Sequence, residues 1–393
     1  MRLLLVEPFG QLTGHPSFYT YSLLKGILKS DPENQVSVLS FAGFIEENLF
    51  TNIETKSLIS KNSLFYKWGI SIFGISKFNT YIGTLFICLW LLWNKNKFDK
   101  IHFIDAKWLI FYFCFLFTRL NNFTLTVLGS QPTSIGESFI SKIRIFIDNL
   151  TLKGIHKKKV QLITHTIDVR NWTEKILGQN SQHTHLIPWG INSHENLLEH
   201  DKARKILSLG RDSIIFLFFG QIDKRKGILE FVESIQDMQD DIIILVVGKD
   251  EGQHSLEIKE MAKKIGWTDK VHINNKHISS SELQTYFRAS DAVILNYGKF
   301  SNASGVLFNA IEFHVPIVGS NYGQIGKVIS ENSIGYLFEP HNKSEIKAAC
   351  LRLIQDKKKC PFKIQENLLK FIKENSWEKI GKEHLKAYAN EIA

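Results

Sequence analysis

One pattern, repeated twice, constrains what this chain can fold into. Short apolar runs rich in β-branched residues alternate with longer amphipathic stretches, and the alternation starts over near the middle. The first series passes through Leu3–Val6, Val36–Phe41, Lys100–Ile104, Thr124–Leu128 and Val160–Thr164, with helical periodicity in stretches such as Ser17–Lys29 and Ile140–Lys153. The second passes through Ile214–Phe219, Ile242–Val247, Val271–Ile273, Ala292–Leu295 and Pro316–Val318, separated by Gly227–Met238, Ser255–Ile265 and Ser281–Ala289. Strands buried on both faces read as continuous apolar runs, and their alternation with helices predicts parallel sheets covered on both sides. The expected architecture is therefore α/β, with two doubly wound, Rossmann-like domains facing a cleft. A chain of 393 residues also exceeds one ordinary core. The expected domains are residues 1–190 and 191–376, with Ile187–Ser193 (IPWGINS) as the hinge. The last helical stretch, within residues 377–393, is expected to return to the first domain.

In open parallel sheets, ligands bind outside the carboxyl ends of the strands. Three stretches at such positions carry candidate chemistry. Phe219 through Gly227 (FGQIDKRKG) ends an apolar run, turns through a polar loop and opens a helix. A helix start and a nearby lysine together favour an anion. Ser301 through Ala310 (SNASGVLFNA) leads small residues into an apolar helix, where Gly305 would let a diphosphate approach the backbone. Asn309, about a turn and a half beyond Ser304, would point back to a ribose. Gly14-His15-Pro16-Ser17-Phe18 follows the first apolar run and reads either as a tight loop of the site or as a helix start. Each stretch taken alone also has a bland reading, as a solvated basic loop or a capped structural helix.

Taken in order, these motifs resemble glycosyltransferase family 4 and its close relatives. Gly14-His15 sits where that family has its first glycine-rich loop, and Asp99 through Phe103 is similar to the strand before its acceptor pocket. Thr164-His165-Thr166 resembles the strand before the hinge, and Ile187 through Asn192 resembles its interdomain "IPNGID" segment. Gly220 through Gly227 is similar to "GRL…KG", Val246-Val247-Gly248 to "VVG", Ala289 through Ala292 to "ADV", and Ala310 through Val318 to "EAMACGVPVV". The chain departs from the family pattern where a Glu-x7-Glu pair usually precedes the Val-Pro segment, since those positions hold Ser301 and Asn309. Gln221 stands where the family has a phosphate-binding arginine, while Lys226 is kept, and Leu128-Gly129-Ser130-Gln131 replaces a common histidine.

The resemblance implies the GT-B fold and transfer of a glycosyl unit from a nucleoside diphosphate sugar to a hydroxyl, with the anomeric configuration retained. Lys226 is the expected catalytic residue, stabilising the leaving diphosphate together with amides around Ser304–Leu307. The expected donor site comprises Gly220, Gln221, Lys226, Ile278, Ser304, Gly305, Val306, Leu307 and Asn309, with the nucleobase near His277-Ile278. The expected acceptor site comprises Gly14, His15, His102 and Asp105, where His102 and Asp105 would activate a hydroxyl or serve only in packing. No cofactor beyond the sugar nucleotide is expected, and no metal. His183-x-His185 is a pair without further ligands. The missing carboxylates keep a second reading open, a non-catalytic GT-B partner subunit. A sugar-nucleotide epimerase would need acidic and histidine residues not found at these positions.

The net charge of +9 is uneven. Residues 1–195 hold 20 Lys and Arg against 13 Asp and Glu, leaving 28 against 26 in the rest. A basic first half suits an anionic partner, such as a lipid-linked acceptor or an anionic membrane surface, or is simply solubilising charge. The basic residues are diffuse and carry no aromatic-rich motif, so no nucleic-acid partner is expected. Residues 80–93 and 108–117 are very apolar, yet shorter than the roughly 20 residues a spanning helix needs. They read as buried helices or as a surface helix dipping into a bilayer, with Lys95, Lys97 and Lys100 following the first stretch. The four scattered cysteines form no disulfide framework and the first residues have no signal-peptide shape. Both observations point to a cytoplasmic protein, peripheral on the inner face of a membrane if the apolar stretch docks there.

Overall fold

The computed structural model describes residues 1–7, 15–41, 54–58, 63–64, 67, 71, 82–104, 123–127, 146, 149, 152–154, 160–178, 183–194, 196–238, 241–298, 304–359 and 363–389. Contacts divide the chain into two compact units, Met1–Gly190 with Asn375–Ala393, and Ile191–Glu374.

The first unit is built on β1 (Arg2–Glu7), β2 (Gln35–Ser40), β3 (Glu54–Ser57), β4 (Lys100–Phe103), β5 (Phe123–Val127), β6 (Gln161–Thr164) and β7 (Thr184–Leu186). They form one parallel sheet in the order β3-β2-β1-β4-β5-β6-β7. Its described helices are α1 (His15–Ser30), α2 (Thr84–Asn94) and α3 (Ile167–Leu177). Central strands such as β5 (FTLTV) and β6 (QLIT) are buried along their whole length, as a sheet covered on both faces requires. Helix α2 turns Thr84, Ile87, Cys88 and Leu91 inward, where Ile87 and Leu91 join the core of Leu4, Val6, Leu39, Phe103 and Leu125. Its opposite face stays exposed, so the apolar stretch is both a core helix and a surface one. The second apolar stretch, 108–117, lies outside the described residues.

The second unit carries β8 (Ile214–Phe219), β9 (Ile242–Val247), β10 (Val271–Asn274), β11 (Ala292–Leu295), β12 (Ile317–Ser320) and β13 (Gly335–Phe338). They are parallel, in the order β10-β9-β8-β11-β12-β13. The helices, in chain order, are α4 (His200–Ile206), α5 (Ile228–Ile235), α6 (His254–Lys264), α7 (Ser280–Ala289), α8 (Gly305–Glu312), α9 (Gly323–Asn332), α10 (Lys343–Lys359) and α11 (Lys363–Glu374). All six residues of β9 (IIILVV) are buried, and Phe216, Phe218 and Phe231 pack edge to face beside it.

The last helix, α12 (Trp377–Ala389), belongs to the first unit and packs along α1. Polar bonds fix this return. Tyr19 donates to His384 Nε2 at 2.8 Å, whose Nδ1 donates to the Ile380 carbonyl at 2.8 Å. Tyr388 lies 2.6 Å from His102 Nδ1, and Thr126 lies 2.7 Å from His102 Nε2. Trp189, Trp377 and His165 surround the Tyr19 ring. Burial holds these imidazoles neutral: His165 is pushed down to about 4 and His384 to about 3, and His102 lies well below the ordinary value.

Candidate functional site

The carboxyl edge of the second sheet gathers most of the expected donor residues. The loops after β8, β10 and β11 all leave the same edge, because the strands are parallel. β8 ends in Phe219, and Gly220 then adopts φ +88°, a left-handed conformation that favours glycine. The chain passes through a 3-10 turn, Lys224–Lys226, before Gly227 at φ +59° opens α5. A side chain at Gly227 would lie 2.6 Å from the Asn296 backbone oxygen, so the two loops meet there backbone to backbone. Asn296 holds the contact by donating to the Gly227 carbonyl at 2.9 Å and to Glu230 at 3.0 Å.

This turn drives Lys226 inward. Its side chain bends back under Gly220, and only 3% of the residue is exposed. Lys226 Nζ donates to the Phe219 carbonyl at 2.5 Å and lies 3.3 Å from the Tyr297 hydroxyl. It also sits 5.0 Å from the centre of the Tyr297 ring. No carboxylate among the described residues pairs with it. An ammonium that loses its water without gaining a counter-ion is costly unless an anion arrives to offset the loss.

Tyr297 continues the line to Ser304, whose hydroxyl is 3.5 Å away, and Ser304 is the residue before α8. Val306 lies next to Gly220: a side chain there would come within 3.8 Å of Val306 Cγ2 and 3.3 Å of Lys226 Nζ. Gly220, Lys226, Ser304 and Val306 are thus one cluster. Tyr297 bridges it, although in the sequence Tyr297 stands out only as part of a connecting loop (ILNYGKF). Arg225 also lies over that ring, 5.0 Å from its centre. Two buried acceptor oxygens in these loops, Asp223 Oδ1 and Asn296 Oδ1, have no hydrogen-bond partner among the described residues.

Other expected residues are placed differently. The Leu307 side chain is fully buried and its N–H already donates to the Ser304 carbonyl at 3.0 Å, so it offers no free donor. The first-turn amides ahead of it, those of Gly305 and Val306, are the ones a helix start leaves without an intrahelical acceptor. Gln221 is exposed and reaches Glu251 only at 3.5 Å, a length at which little hydrogen bond remains. Asn309 is half-buried one turn into α8, and Ile278 is half-buried in the loop after β10. Glu312, at the far end of α8, was not singled out by sequence. It accepts from His194 Nε2 at 2.6 Å and from Asn192 at 3.4 Å, which raises His194 above its ordinary pKa.

The expected acceptor group requires a correction. His102 is fully buried and both ring nitrogens are engaged by Tyr388 and Thr126. It cannot meet an acceptor hydroxyl and is a core residue that anchors α12. Gly14 and Asp105 lie outside the described residues. His15 is the first residue of α1, and its side chain lies outside them too. Among the described residues, no group of three or more His, Cys, Asp or Glu is placed to hold a metal. The His183-x-His185 pair is taken up by Gln161, whose amide lies 3.0 Å from His183 Nδ1 and 2.6 Å from His185 Nε2.

Residues 199–373 match the family model described as glycosyl transferases group 1. That segment is a glycosyl transferases group 1 domain. It contains every donor-site residue named above. An uncharacterized glycosyltransferase of Methanocaldococcus jannaschii is 26% identical over 266 residues, which is 66% of this chain and 66% of that protein. Two further curated relatives are matched over only 36% and 31% of their own length. Among solved structures, sucrose-phosphate synthase from Thermosynechococcus elongatus superposes with a TM-score of 0.72 at 17% identity, covering 99% of this chain and 98% of that one. Anabaena HepE, in complex with UDP-glucose, superposes with a TM-score of 0.70 at 14% identity, covering 99% of each chain. The two Rossmann-like units of this chain match those of GT-B structures.

Proposed function

We propose that this protein is a glycosyltransferase that moves a sugar from a nucleoside diphosphate sugar to a hydroxyl of a glycan or lipid-linked saccharide, in polysaccharide or glycoconjugate synthesis. One observation carries the reading. Lys226 is buried, with no carboxylate partner among the described residues, at the carboxyl edge of the sheet, beside the start of α8. As the glycosidic bond breaks, negative charge grows on the leaving diphosphate. Lys226 and the amides of Gly305 and Val306 would stabilise that growing charge more than they stabilise the bound ground state. Lys226 supplies the positive charge that a metal ion would otherwise provide, so we read the transfer as metal-independent and without a cofactor. Asp223 Oδ1 and Asn296 Oδ1 are acceptors suited to sugar or ribose hydroxyls. We read the outcome as retaining, in keeping with the resemblance. UDP-glucose, the ligand of HepE, is the first donor to test.

A second reading has a specific observation behind it. Asn309 stands where the resembling family has a carboxylate, which favours a non-catalytic GT-B partner subunit. Thermal melts with UDP, GDP and ADP test both readings at once. One diphosphate is expected to raise the melting temperature where the monophosphate of the same base does not. No shift with any diphosphate removes the donor site. A shift without hydrolysis or transfer of the matching sugar nucleotide selects the partner subunit.

A further inference from the structure

The face of α2 turned away from the core holds Leu85, Phe86, Leu89, Leu92 and Trp93. At 100° per residue these five fall within an arc of about 120°, and the inward residues Thr84, Ile87, Cys88 and Leu91 fill the opposite side. Trp93 is 77% exposed and Leu85 and Leu89 are each 43% exposed. Isolated apolar residues on a surface need no explanation, but a continuous stripe of large ones marks an interaction site. Phe86 also meets the core residue Phe41, with ring centres 5.6 Å apart, but packing among the described residues does not account for the exposure of Leu85, Leu89, Leu92 and Trp93.

The residues beyond the stripe identify the partner. Helix α2 runs into a 3-10 turn, Lys95–Lys97. Beside it lies a cavity of about 200 Å³ lined by Arg2, Lys56 and Lys97 together with Trp90 and Asn94. Arg2 shares its charge with Asp99 at 2.7 Å, and Lys56 Nζ lies 5.3 Å from the centre of the Trp90 ring. Three cationic side chains around one cavity, next to an apolar stripe ending in tryptophan, match the chemistry of a bilayer surface. The acyl boundary takes the apolar face, the headgroup level takes the indole, and anionic phosphates take the bases. At 11 residues the helix is about 16 Å long and cannot cross the roughly 30 Å hydrocarbon layer. Among the described residues, no helix is long and apolar enough to do so.

We propose that α2 is an interfacial anchor. It lies in the surface of a membrane containing anionic phospholipid, with Leu85, Leu89, Leu92 and Trp93 inserted and the Arg2–Lys56–Lys97 cavity holding a lipid phosphate. The proposal goes beyond the donor-site reading and does not depend on it.

Flotation of the full chain with vesicles, without any nucleotide, is the test. Wild-type protein is expected to float with equimolar phosphatidylcholine and phosphatidylglycerol, and more weakly with phosphatidylcholine alone. L89Q with W93Q should lower partitioning about 100-fold on both vesicle types. K56Q with K97Q should lower it about tenfold on the anionic vesicles only, and high salt should reproduce that loss. Failure of the wild type to float overturns the proposal, as does equal flotation of L89Q with W93Q. A dimer seen by light scattering and abolished by that pair of substitutions overturns it too, because the stripe would then bind a second copy. The nucleoside diphosphate melt shift should survive in every variant. A lost shift with intact flotation counts against the donor site alone, and lost flotation with an intact shift counts against the anchor alone.

Discussion

Each end of the second sheet buries a cation, and the two are treated in opposite ways. At the amino edge, Arg204 on α4 donates to Asp291, just ahead of β11, at 2.6 Å, and both side chains are 2% exposed. Its remaining N–H groups go to the carbonyls of Ala289 at 3.0 Å, Gly210 at 3.1 Å and Ser213 at 2.9 Å. Asp291 in turn accepts the Ile215 N–H of β8 at 2.7 Å and the Lys357 ammonium at 2.5 Å. Burial works to raise the Asp291 pKa, but His200, Lys357 and Arg204 overcome it and bring the carboxyl down to about 2. At the carboxyl edge, Lys226 is 3% exposed and, among the described residues, is bonded to a carbonyl and a phenol. Equal burial therefore means different things. Arg204 is neutralised within the fold, and the Arg204–Asp291 pair ties α4, β8, β11 and α10 together. Lys226 awaits a charge that the described fold does not supply.

The comparison breaks most visibly at Asp291. D291A would leave Arg204 and Lys357 facing an uncompensated site, and the expected loss is about 3–5 kcal/mol in urea unfolding. A loss under about 1 kcal/mol would mean that the amino edge is not held by its ion pair. Acid titration sharpens the contrast. The folded pKa values of His165 and His384, about 4 and about 3, lie below the ordinary imidazole value. Their contribution is complete above about pH 6.5 and declines as the pH falls toward 4, by about 3 kcal/mol for each histidine. Asp291 behaves differently in acid, because its contribution is complete above about pH 4 and is lost only toward 2. Urea midpoints between pH 7 and 4.5 should fall through the first unit while the Asp291 network stays intact. A flat profile over that window would show that the histidines are not held neutral.

The central strands were legible because two-sided burial leaves an unbroken apolar run, as in β8 and β9. The strands absent from the sequence reading were β3 (ETKS), β7 (THL) and β13 (GYLF), and all three are edge strands. An edge strand has one neighbour and less need for apolar residues, so its pattern fades into loop. Lys226 and Gly220 were legible because the strand–loop–helix order puts a cation at a helix start. Tyr297 was not, since a tyrosine in a loop carries no periodic signal. The choice between the two roles of His102 is not legible in sequence, because its environment is set by Tyr388, 286 residues away on α12. A histidine near a strand end looks the same in sequence whether it faces solvent or a returning helix.

K226M separates the two kinds of buried cation most directly. Calorimetric titration with the diphosphate that raises the melting temperature gives affinity, and urea unfolding of the same samples gives stability. Affinity should fall about 10- to 100-fold, as loss of a charge-assisted contact implies, while unfolding free energy changes by less than about 1 kcal/mol. Unchanged affinity together with a loss of several kcal/mol would contradict the account, because Lys226 would then be a structural cation of the same kind as Arg204.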